Sequence, residues 1–354
     1  MAKVILSKEA AKLSAQFYTR QSEMHGISVE AIEEGAHFSL EADREVEWLT
    51  AVQNSNEFLA KIDVDTCDAQ VVDHLSGEDM DLASGRTDTE SEDRKTTDLA
   101  GLSDIRYTAE TTQHDTHISF SQYNNWARRN RNLFQRYISE KRAASKGNDM
   151  LKIAWHGEKV SKKTDKKANP LGQDVNIGFI QRIKTHYPQN HIDGATEAIT
   201  IGKGGTYLSL DAAVIAMKAM IPKHLQNDLE LYASDEFFID RDMKLVEKAT
   251  ITEAGDRSLQ KVFTTVAGGI HAETPPFFPE GTLLLTSPKN LAIRTQEGSI
   301  NVGMVKNHPR SREEFYHEAN EFYAVKNYEK AVVLVNVKVA DGTTEDAGSE
   351  AEGG

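Results

Sequence analysis

The chain has 354 residues, of which 39% are hydrophobic and 27% charged, with a formal net charge of −14 and a single cysteine. That length exceeds what one hydrophobic core usually serves, and it predicts two lobes or one domain with long excursions. The acidic balance argues against nucleic-acid binding by the molecule as a whole, and no apolar stretch approaches the roughly 20 residues of a membrane span.

The amino-terminal part is predicted to consist of helices joined at glycines. Residues 6–24 carry apolar side chains at helical spacing, and Gly26 and Gly35 interrupt the pattern. A second helical pattern with a partly buried face runs through residues 45–64. This part therefore reads as a jointed string of helices.

A long polar loop follows. Residues 76–104 are rich in Gly, Ser, Thr and Asp and contain no aromatic residue, so their own composition buries almost nothing. Residues 105–120 then alternate like a strand, which makes the loop the tip of a two-stranded excursion rather than a linker. A loop of this length is either functional or disordered.

The longest predicted helix spans residues 122–145. Its apolar positions recur at helical spacing, and most of its Arg and Lys residues lie on other faces. Residues 148–157 are predicted to form a second, short helical segment, and residues 159–170 read as a basic loop that Pro170 closes.

The carboxyl-terminal half mixes short helices with strands. A helical pattern over residues 173–187 ends at Pro188, and the stretch 331–339, AVVLVNVKV, alternates as a strand. Residues 341–354 are small and acidic and are expected to fray.

The glycine-rich stretch Gly202–Gly205 precedes a helix-like run and raises the question of a phosphate site. A Walker A loop requires G-x-x-x-x-G-K-[ST], but Lys203 precedes two of the glycines and no hydroxyl residue follows it directly. The dinucleotide pattern fails as well, because the third glycine is missing. We interpret the stretch as a structural turn before a helix that Ser209 caps.

Other catalytic and metal-binding arrangements are also incomplete. Cys67 lies between acidic neighbours, which should raise the thiol pKa rather than activate it. Two pairs have the E-x-x-H spacing, Glu314 with His317 and Glu34 with His37, and we interpret them as surface helix residues. His114 and His117 are interpreted as strand residues that face opposite sides of the sheet. The sequence thus predicts no catalytic residue, no cofactor and no metal.

Several blocks in a fixed order carry a resemblance to a known family. The blocks are Thr164-Asp165, Asn169-Pro170, Gln173-Asp174-Val175, Ile201-Gly202-Lys203-Gly204-Gly205, Ser209-Leu210-Asp211-Ala212, Phe278-Pro279, Leu284-Leu285-Thr286, Asn290-Leu291-Ala292-Ile293 and Glu321-Phe322-Tyr323-Ala324-Val325. In this order they resemble the major capsid proteins of contractile-tailed temperate coliphages. The resemblance covers about residues 17–339.

This resemblance implies the Hong Kong-ninety-seven-like phage capsid fold, of the α+β class. The implied parts are a cleaved amino-terminal segment at 1–35, with an uncleaved arm as the alternative; an N-arm at 36–62; an extended loop with flanking strands at 63–118; a peripheral domain with a spine helix at 119–172 and 321–340; an axial domain at 173–320; and a flexible acidic tail at 341–354.

The implied function is that of a virion protein, assembled in the host bacterial cytoplasm. The chain would associate with itself as pentamers and hexamers into an icosahedral shell, which encloses double-stranded DNA without reading its sequence. A scaffolding protein, a maturation protease and a portal are the implied partners, and a decoration protein is a further one to consider.

Charge suggests where neighbouring copies meet. Weak contacts suffice in a closed shell because each subunit is tied to several neighbours. The acidic loop is therefore predicted to lie across a basic surface of a neighbour. The candidate contact residues are Asp88, Glu90 and Glu92 on the loop, and Arg128, Arg129 and Arg131 on the basic helix.

Two alternatives of other classes stay open at this stage. One is a cytosolic protein-compartment shell of the same fold, which would enclose protein cargo. The other is a phosphate- or nucleotide-binding enzyme that uses Gly202–Gly205 and Lys203.

Overall fold

The computed structural model describes residues 5–75, 84–94, 96, 102–129, 133–239 and 266–340. The α-helices include α1 (Lys8–His25), α2 (Val29–Glu33), α3 (Ala42–Gln53), α4 (Glu57–Lys61), α5 (Phe120–Arg129), α6 (Phe134–His156), α7 (Phe179–His186) and α8 (Leu210–Met220). The strands are β1 (His37–Ser39), β2 (Asp63–Cys67), β3 (Val71–Leu75), β4 (Leu102–Thr108), β5 (Glu110–Gln113), β6 (Thr116–Ser119), β7 (His191–Asp193), β8 (Thr200–Ile201), β9 (Glu230–Ala233), β10 (Val266–Ala267), β11 (Ile270–Glu273), β12 (Leu283–Thr286), β13 (Leu291–Gln296), β14 (Asn301–Asn307), β15 (Arg312–Val325), β16 (Val332–Val335) and β17 (Lys338–Val339).

The chain divides into two compact units. Unit 1 comprises Met1–Arg182 and Lys289–Lys326, and unit 2 comprises Ile183–Pro288 and Asn327–Gly354. Each unit has its own sheet and its own hydrophobic core, so the prediction of two lobes is confirmed. No helix of the described ranges is long and apolar enough to cross a membrane.

Unit 1 is organised around the 14-residue strand β15. Four strands pair with β15 in antiparallel register: β13, β14, β5 and β6. At the edges of the sheet, β2 pairs with β13 in parallel, and β1 pairs with β14 in antiparallel register. Helices α1, α5 and α6 pack together with this sheet, and their core contains Phe17, Tyr123, Phe134, Ile138 and Phe315.

Unit 2 contains a six-stranded sheet with the order β10-β11-β9-β12-β16-β7. Strand β12 is buried along its whole length between β9 and β16. Ser209 caps helix α8 by accepting a hydrogen bond from the Ala212 amide, and the helix buries Val214 and Met217 in the core of this unit. The predicted cap is therefore confirmed.

The predicted long helix differs from the observed ones. The sequence pattern placed one helix at 122–145 and a short segment at 148–157, whereas α5 ends at Arg129 and α6 runs without interruption from Phe134 to His156. Gly147 lies inside α6, where a Cβ would come within 2.6 Å of Ser55 Oγ and 3.0 Å of Leu59. The glycine permits close packing and does not end the helix.

The predicted two-stranded excursion is present. Strands β3 and β4 pair antiparallel on either side of residues 76–101, with Val71 opposite Thr108 and Val72 opposite Tyr107. The described part of the intervening loop is 84–94 and 96, and the rest of the predicted loop lies outside the described residues.

The predicted domain boundaries require correction. Residues 289–320 were grouped with the axial domain, but β13, β14 and β15 complete the sheet of unit 1. The stretch 331–339 was grouped with the peripheral domain, but β16 pairs with β12 and β7 in unit 2. Strand pairing joins segments far apart in sequence, and spacing along the chain does not reveal it.

Candidate intersubunit surface

The acidic loop at 84–94 is exposed throughout its described length. A turn at Asp88 organises it: the amide of Glu90 donates to Asp88 Oδ1 at 3.1 Å, and Ser91 Oγ donates to Asp88 Oδ2 at 3.1 Å. This is the local hydrogen bonding that lets Asp hold a turn without a regular element. Within the described ranges, Glu90 and Glu92 make no ion pair, so both carboxylates face solvent.

Two of the three predicted arginines are exposed at the end of α5. Arg128 and Arg129 occupy the last turn of that helix, where positive charge is favoured by the helix dipole. Neither forms an ion pair with any residue that the structure describes. Arg131 lies outside the described residues.

A second basic surface follows α6. Its lysines are all exposed: Lys159, Lys162, Lys163, Lys166 and Lys167. Asp165 fixes the loop, because its Oδ1 accepts hydrogen bonds from the amides of Lys167 (2.9 Å) and Ala168 (3.2 Å). The Asp165 amide in turn donates to Asp174 Oδ2 at 2.7 Å. The backbone is thus held while the ammonium groups stay in solvent.

The acidic loop and the basic residues are not joined within one chain. No hydrogen bond or ion pair among the described residues links 84–94 to Arg128, Arg129 or the lysine loop. Each surface therefore keeps unneutralised charge that a second molecule can pair with.

A network of buried and half-buried charges lies along α6. Lys146 Nζ lies 2.5 Å from Glu321 Oε1, and both side chains are almost fully buried. Nearby, His114 Nδ1 lies 3.2 Å from Asp149 Oδ2, and Lys152 Nζ lies 3.0 Å from Asp149 Oδ1. Burial raises the pKa of Asp149, but the hydrogen bonds from His114 and Lys152 outweigh it and lower that pKa to about 2. Sequence reasoning missed this network, because its members lie far apart along the chain.

The glycine-rich stretch forms a closed turn in unit 2. The Gly202 amide donates to Tyr207 O at 2.8 Å and the Gly205 amide donates to Gly202 O at 3.0 Å, so these two donors are already used within the turn. Gly202 has φ 140° and Gly204 has φ 81°, which other residues rarely adopt. Lys203 is exposed. The structural interpretation is supported, and a phosphate cradle is not.

The interpretation of the E-x-x-H pairs as surface helix residues was wrong about secondary structure and, for the buried His317, about exposure as well. Glu314 and His317 lie on strand β15 rather than on a helix, and Glu34 and His37 lie at the end of α2 and on β1. In the part of the chain that the structure describes, no group of three or more His, Cys, Asp or Glu side chains is arranged to hold a metal ion. The pKa of Cys67 is raised, in the expected direction, but burial is the main cause; Asp68 and Glu297 add to it and Arg294 opposes it.

The structure has two compact units, each with its own sheet, a long helix in unit 1, and a hairpin that carries an exposed acidic loop. These features define the Hong Kong-ninety-seven-like class of phage capsid subunits, an α+β fold. A chain of the solved procapsid of satellite phage P4, a particle that includes a size-determination protein, superimposes with a TM-score of 0.74 at 22% identity, covering 95% of this chain and 99% of that one. The fold expected from the sequence is confirmed.

The sequence relatives narrow this class. The family described as phage major capsid protein, P2 family, matches residues 14–337. Capsid proteins of Escherichia phage P2 are 25% identical over 345 residues, covering 93% of this chain and 94% of the relative. The major capsid protein of Serratia phage KSP20 is 26% identical over 345 residues, covering 94% and 96%. The chain belongs to the P2 family of phage major capsid proteins, whose role is structural.

Proposed function

We propose that the chain assembles with copies of itself, through pentamers and hexamers, into the icosahedral shell of a tailed phage that encloses double-stranded DNA. The observation that carries the proposal is the family match over residues 14–337, which spans both units. Assembly takes place in the host bacterial cytoplasm. With a net charge of −14, the shell holds DNA by confinement more than by attraction.

The two units fit the parts of such a subunit. Unit 1 is the peripheral part, with α6 as its spine helix and α3 and α4 within the arm at 36–62. Unit 2 is the axial part near the centre of a capsomer. The hairpin of β3 and β4 is the base of the extended loop.

The intersubunit contact joins opposite charges. Asp88, Glu90 and Glu92 of one copy lie across Arg128 and Arg129, and the predicted Arg131, of its neighbour. The exposure of Asp88, Glu90, Glu92, Arg128 and Arg129, and the absence of ion pairs to them within the described part of the chain, support this arrangement. Exposed pairs contribute about 1 kcal/mol or less each, so repetition around the shell is what makes them effective.

The remaining partners are a scaffolding protein, a maturation protease that removes residues 1–35, a portal, and a decoration protein on the outer surface. The helices at the start of the chain are joined to β1 through Gly35, whose φ of 85° marks a turn between two structured segments. A processing site at such a joint separates them without cutting an element.

Negative-stain electron microscopy tests the proposal. The protein is expressed alone and together with the scaffolding gene that adjoins its own, and each preparation is imaged after light scattering. We expect closed shells, or rings of five and six, in at least the co-expressed preparation. A monomer or dimer in both preparations would contradict the proposal.

A further inference from the structure

Helix α1 occupies a groove on unit 1. Its buried residues include Ser14, Phe17 and Tyr18, and the helix packs on α5, α6, β14 and β15. Three aromatic side chains of the groove, Tyr123, Phe134 and Phe315, belong to the same core cluster. The groove therefore receives one face of an amphipathic helix.

Non-covalent contacts hold both ends of the amino-terminal segment, residues 5–33, against the rest of unit 1. At the start, the Ser7 amide donates to Asn124 Oδ1 at 2.7 Å, and Asn124 Nδ2 donates to Ile5 O at 2.9 Å. At the other end, Lys306 Nζ lies 2.9 Å from Glu33 Oε1 and 4.1 Å from the centre of the Tyr18 ring. These contacts would persist if the polypeptide were cut after α2.

A single short joint connects this segment to the body. The chain passes from α2 through residues 34–36 to β1, and Glu34 is exposed at the end of the helix. Gly35 has a φ of 85°. Every other link between the segment and the body is non-covalent.

A buried carboxylate lies beneath α1. The Glu313 side chain is inaccessible to solvent, and the hydroxyls of Tyr18 and Tyr123 face its carboxylate. The charged and titratable groups that face it come from four elements: Tyr18 of α1, Tyr123 of α5, Arg142 of α6 and Lys306 of β14. Removing α1 would take away Tyr18 and admit water to this carboxylate.

The protonation of Glu313 is therefore linked to docking. Burial raises the pKa of Glu313 above its ordinary value, despite the opposing effects of both tyrosines, Lys306 and Arg142. A carboxyl group whose pKa is raised when α1 is docked favours docking at low pH. The docked state loses this advantage as the pH rises through the raised pKa.

We propose that this groove is a helix-binding site that holds the amino-terminal segment, residues 5–33, as a non-covalent ligand after the chain is cut, and that its release exposes Glu313 to water. In the phage, the chain would be cut by the proposed maturation protease, and this part of the inference rests on the proposed function. Cutting and release would then be separate steps of maturation.

The test introduces the cut artificially. A recognition sequence for a site-specific protease is inserted between Gly35 and Ala36 of the full chain, and the cleaved protein is diluted and passed over a sizing column at pH 5.5 and pH 8. We expect the fragment to elute with the body at pH 5.5. Retention should be weaker at pH 8, because affinity falls by up to about tenfold for each pH unit between the ordinary pKa of the released carboxyl and the raised pKa of the docked one.

Three variants make the outcome specific. Tyr18→Ala should lose the fragment while the body elutes unchanged, and Gln16→Ala, on the exposed face of the same helix, should behave as the parent. Glu313→Gln, which cannot ionise, should retain the fragment equally at both pH values.

A fragment that leaves the body at both pH values, or one that stays equally well with Tyr18→Ala, would overturn the inference. Because the cut is engineered, these results do not depend on a natural protease. A chain that forms no shell would instead contradict the proposed function and leave this result standing.

Discussion

The stability of unit 1 depends on the ion pair between Lys146 and Glu321. Their ion pair is buried on both sides, with side-chain exposures of 3% and 1%, and it ties α6 to β15. The Asn176 side chain donates to the Glu321 carbonyl at 2.8 Å, so the adjoining segment is held at the same point. A buried pair contributes modestly while intact, but either member alone is an uncompensated charge away from water.

Replacing one member should therefore be costly and replacing both should not. We expect Lys146→Met to lower the free energy of unfolding by about 3–5 kcal/mol, and Lys146→Met with Glu321→Leu to recover most of that loss. Urea unfolding of the subunit, followed by tryptophan fluorescence, measures both. The exposed pair of Arg136 with Glu140 is the matched control, and Arg136→Met should leave the free energy of unfolding almost unchanged. A loss for Lys146→Met no larger than this control would refute the argument.

Among the secondary-structure elements, sequence periodicity predicted the presence of a helix or strand better than it predicted the residues at which the element begins and ends. Helix α8 was predicted correctly because its cap and its apolar stripe are local. Strand β15 was not predicted, because its inward-facing positions include Glu313 and His317, which hide the alternation that marks a half-buried strand. The continuity of α6 through Gly147 becomes evident only when its packing partners are known.

The surface contacts were predicted in kind but not in geometry. The sequence indicated an acidic loop and basic residues, and the structure places Asp88, Glu90, Arg128 and Arg129 on exposed surfaces. The groove under α1 was not predicted, since its walls come from segments more than 100 residues apart along the chain. Their meeting depends on tertiary packing, which residue spacing does not reveal.

The end of α6 offers a sharp test of element packing. The Gly178 amide donates to Gly157 O at 2.9 Å, and a Cβ on Gly178 would lie 2.5 Å from the carbonyl oxygens of Ile153 and Ala154. Backbone atoms cannot yield as a flexible side chain can. Gly178→Ala should therefore lower the free energy of unfolding by about 3 kcal/mol or more.

Thermal and urea unfolding of the Gly178→Ala subunit check this expectation. Gly85→Ala is the control, because nothing lies within 4 Å of a Cβ at that loop position. Equal stability of the two variants would show that the close approach at the end of α6 is not required.

For the whole molecule, the charges of the acidic loop and of α5 matter only when many copies meet. Two exposed pairs of about 0.5 kcal/mol each correspond to about a fivefold change in the affinity of one contact. A closed shell repeats that contact around every subunit, so a small change per contact alters the concentration at which shells form. The effect should appear in assembly and not in the stability of the isolated chain.

A charge swap tests whether these particular residues meet. Arg128→Glu with Arg129→Glu should raise the subunit concentration needed for shells at least about fivefold, since attraction becomes repulsion. Adding Glu90→Lys and Glu92→Lys to the same chain should restore assembly, because the pairs re-form with opposite sign. Light scattering across a concentration series, with electron microscopy of the products, measures the midpoint.

The control carries the same change of net charge at exposed lysines of other surfaces, Lys223→Glu with Lys289→Glu, and should assemble near the parent concentration. Raising the salt concentration should narrow the gap between the arginine variant and the parent, because salt screens attraction and repulsion alike. The loop substitutions Glu90→Lys and Glu92→Lys are also tested without the arginine changes. If each pair of substitutions alone impairs assembly and the combined chain is not rescued, the arginines meet some other acidic surface. Rescue by the loop substitutions, together with a control that assembles near the parent concentration, would show that the loop of one copy meets the helix of another and that net charge alone is not the cause.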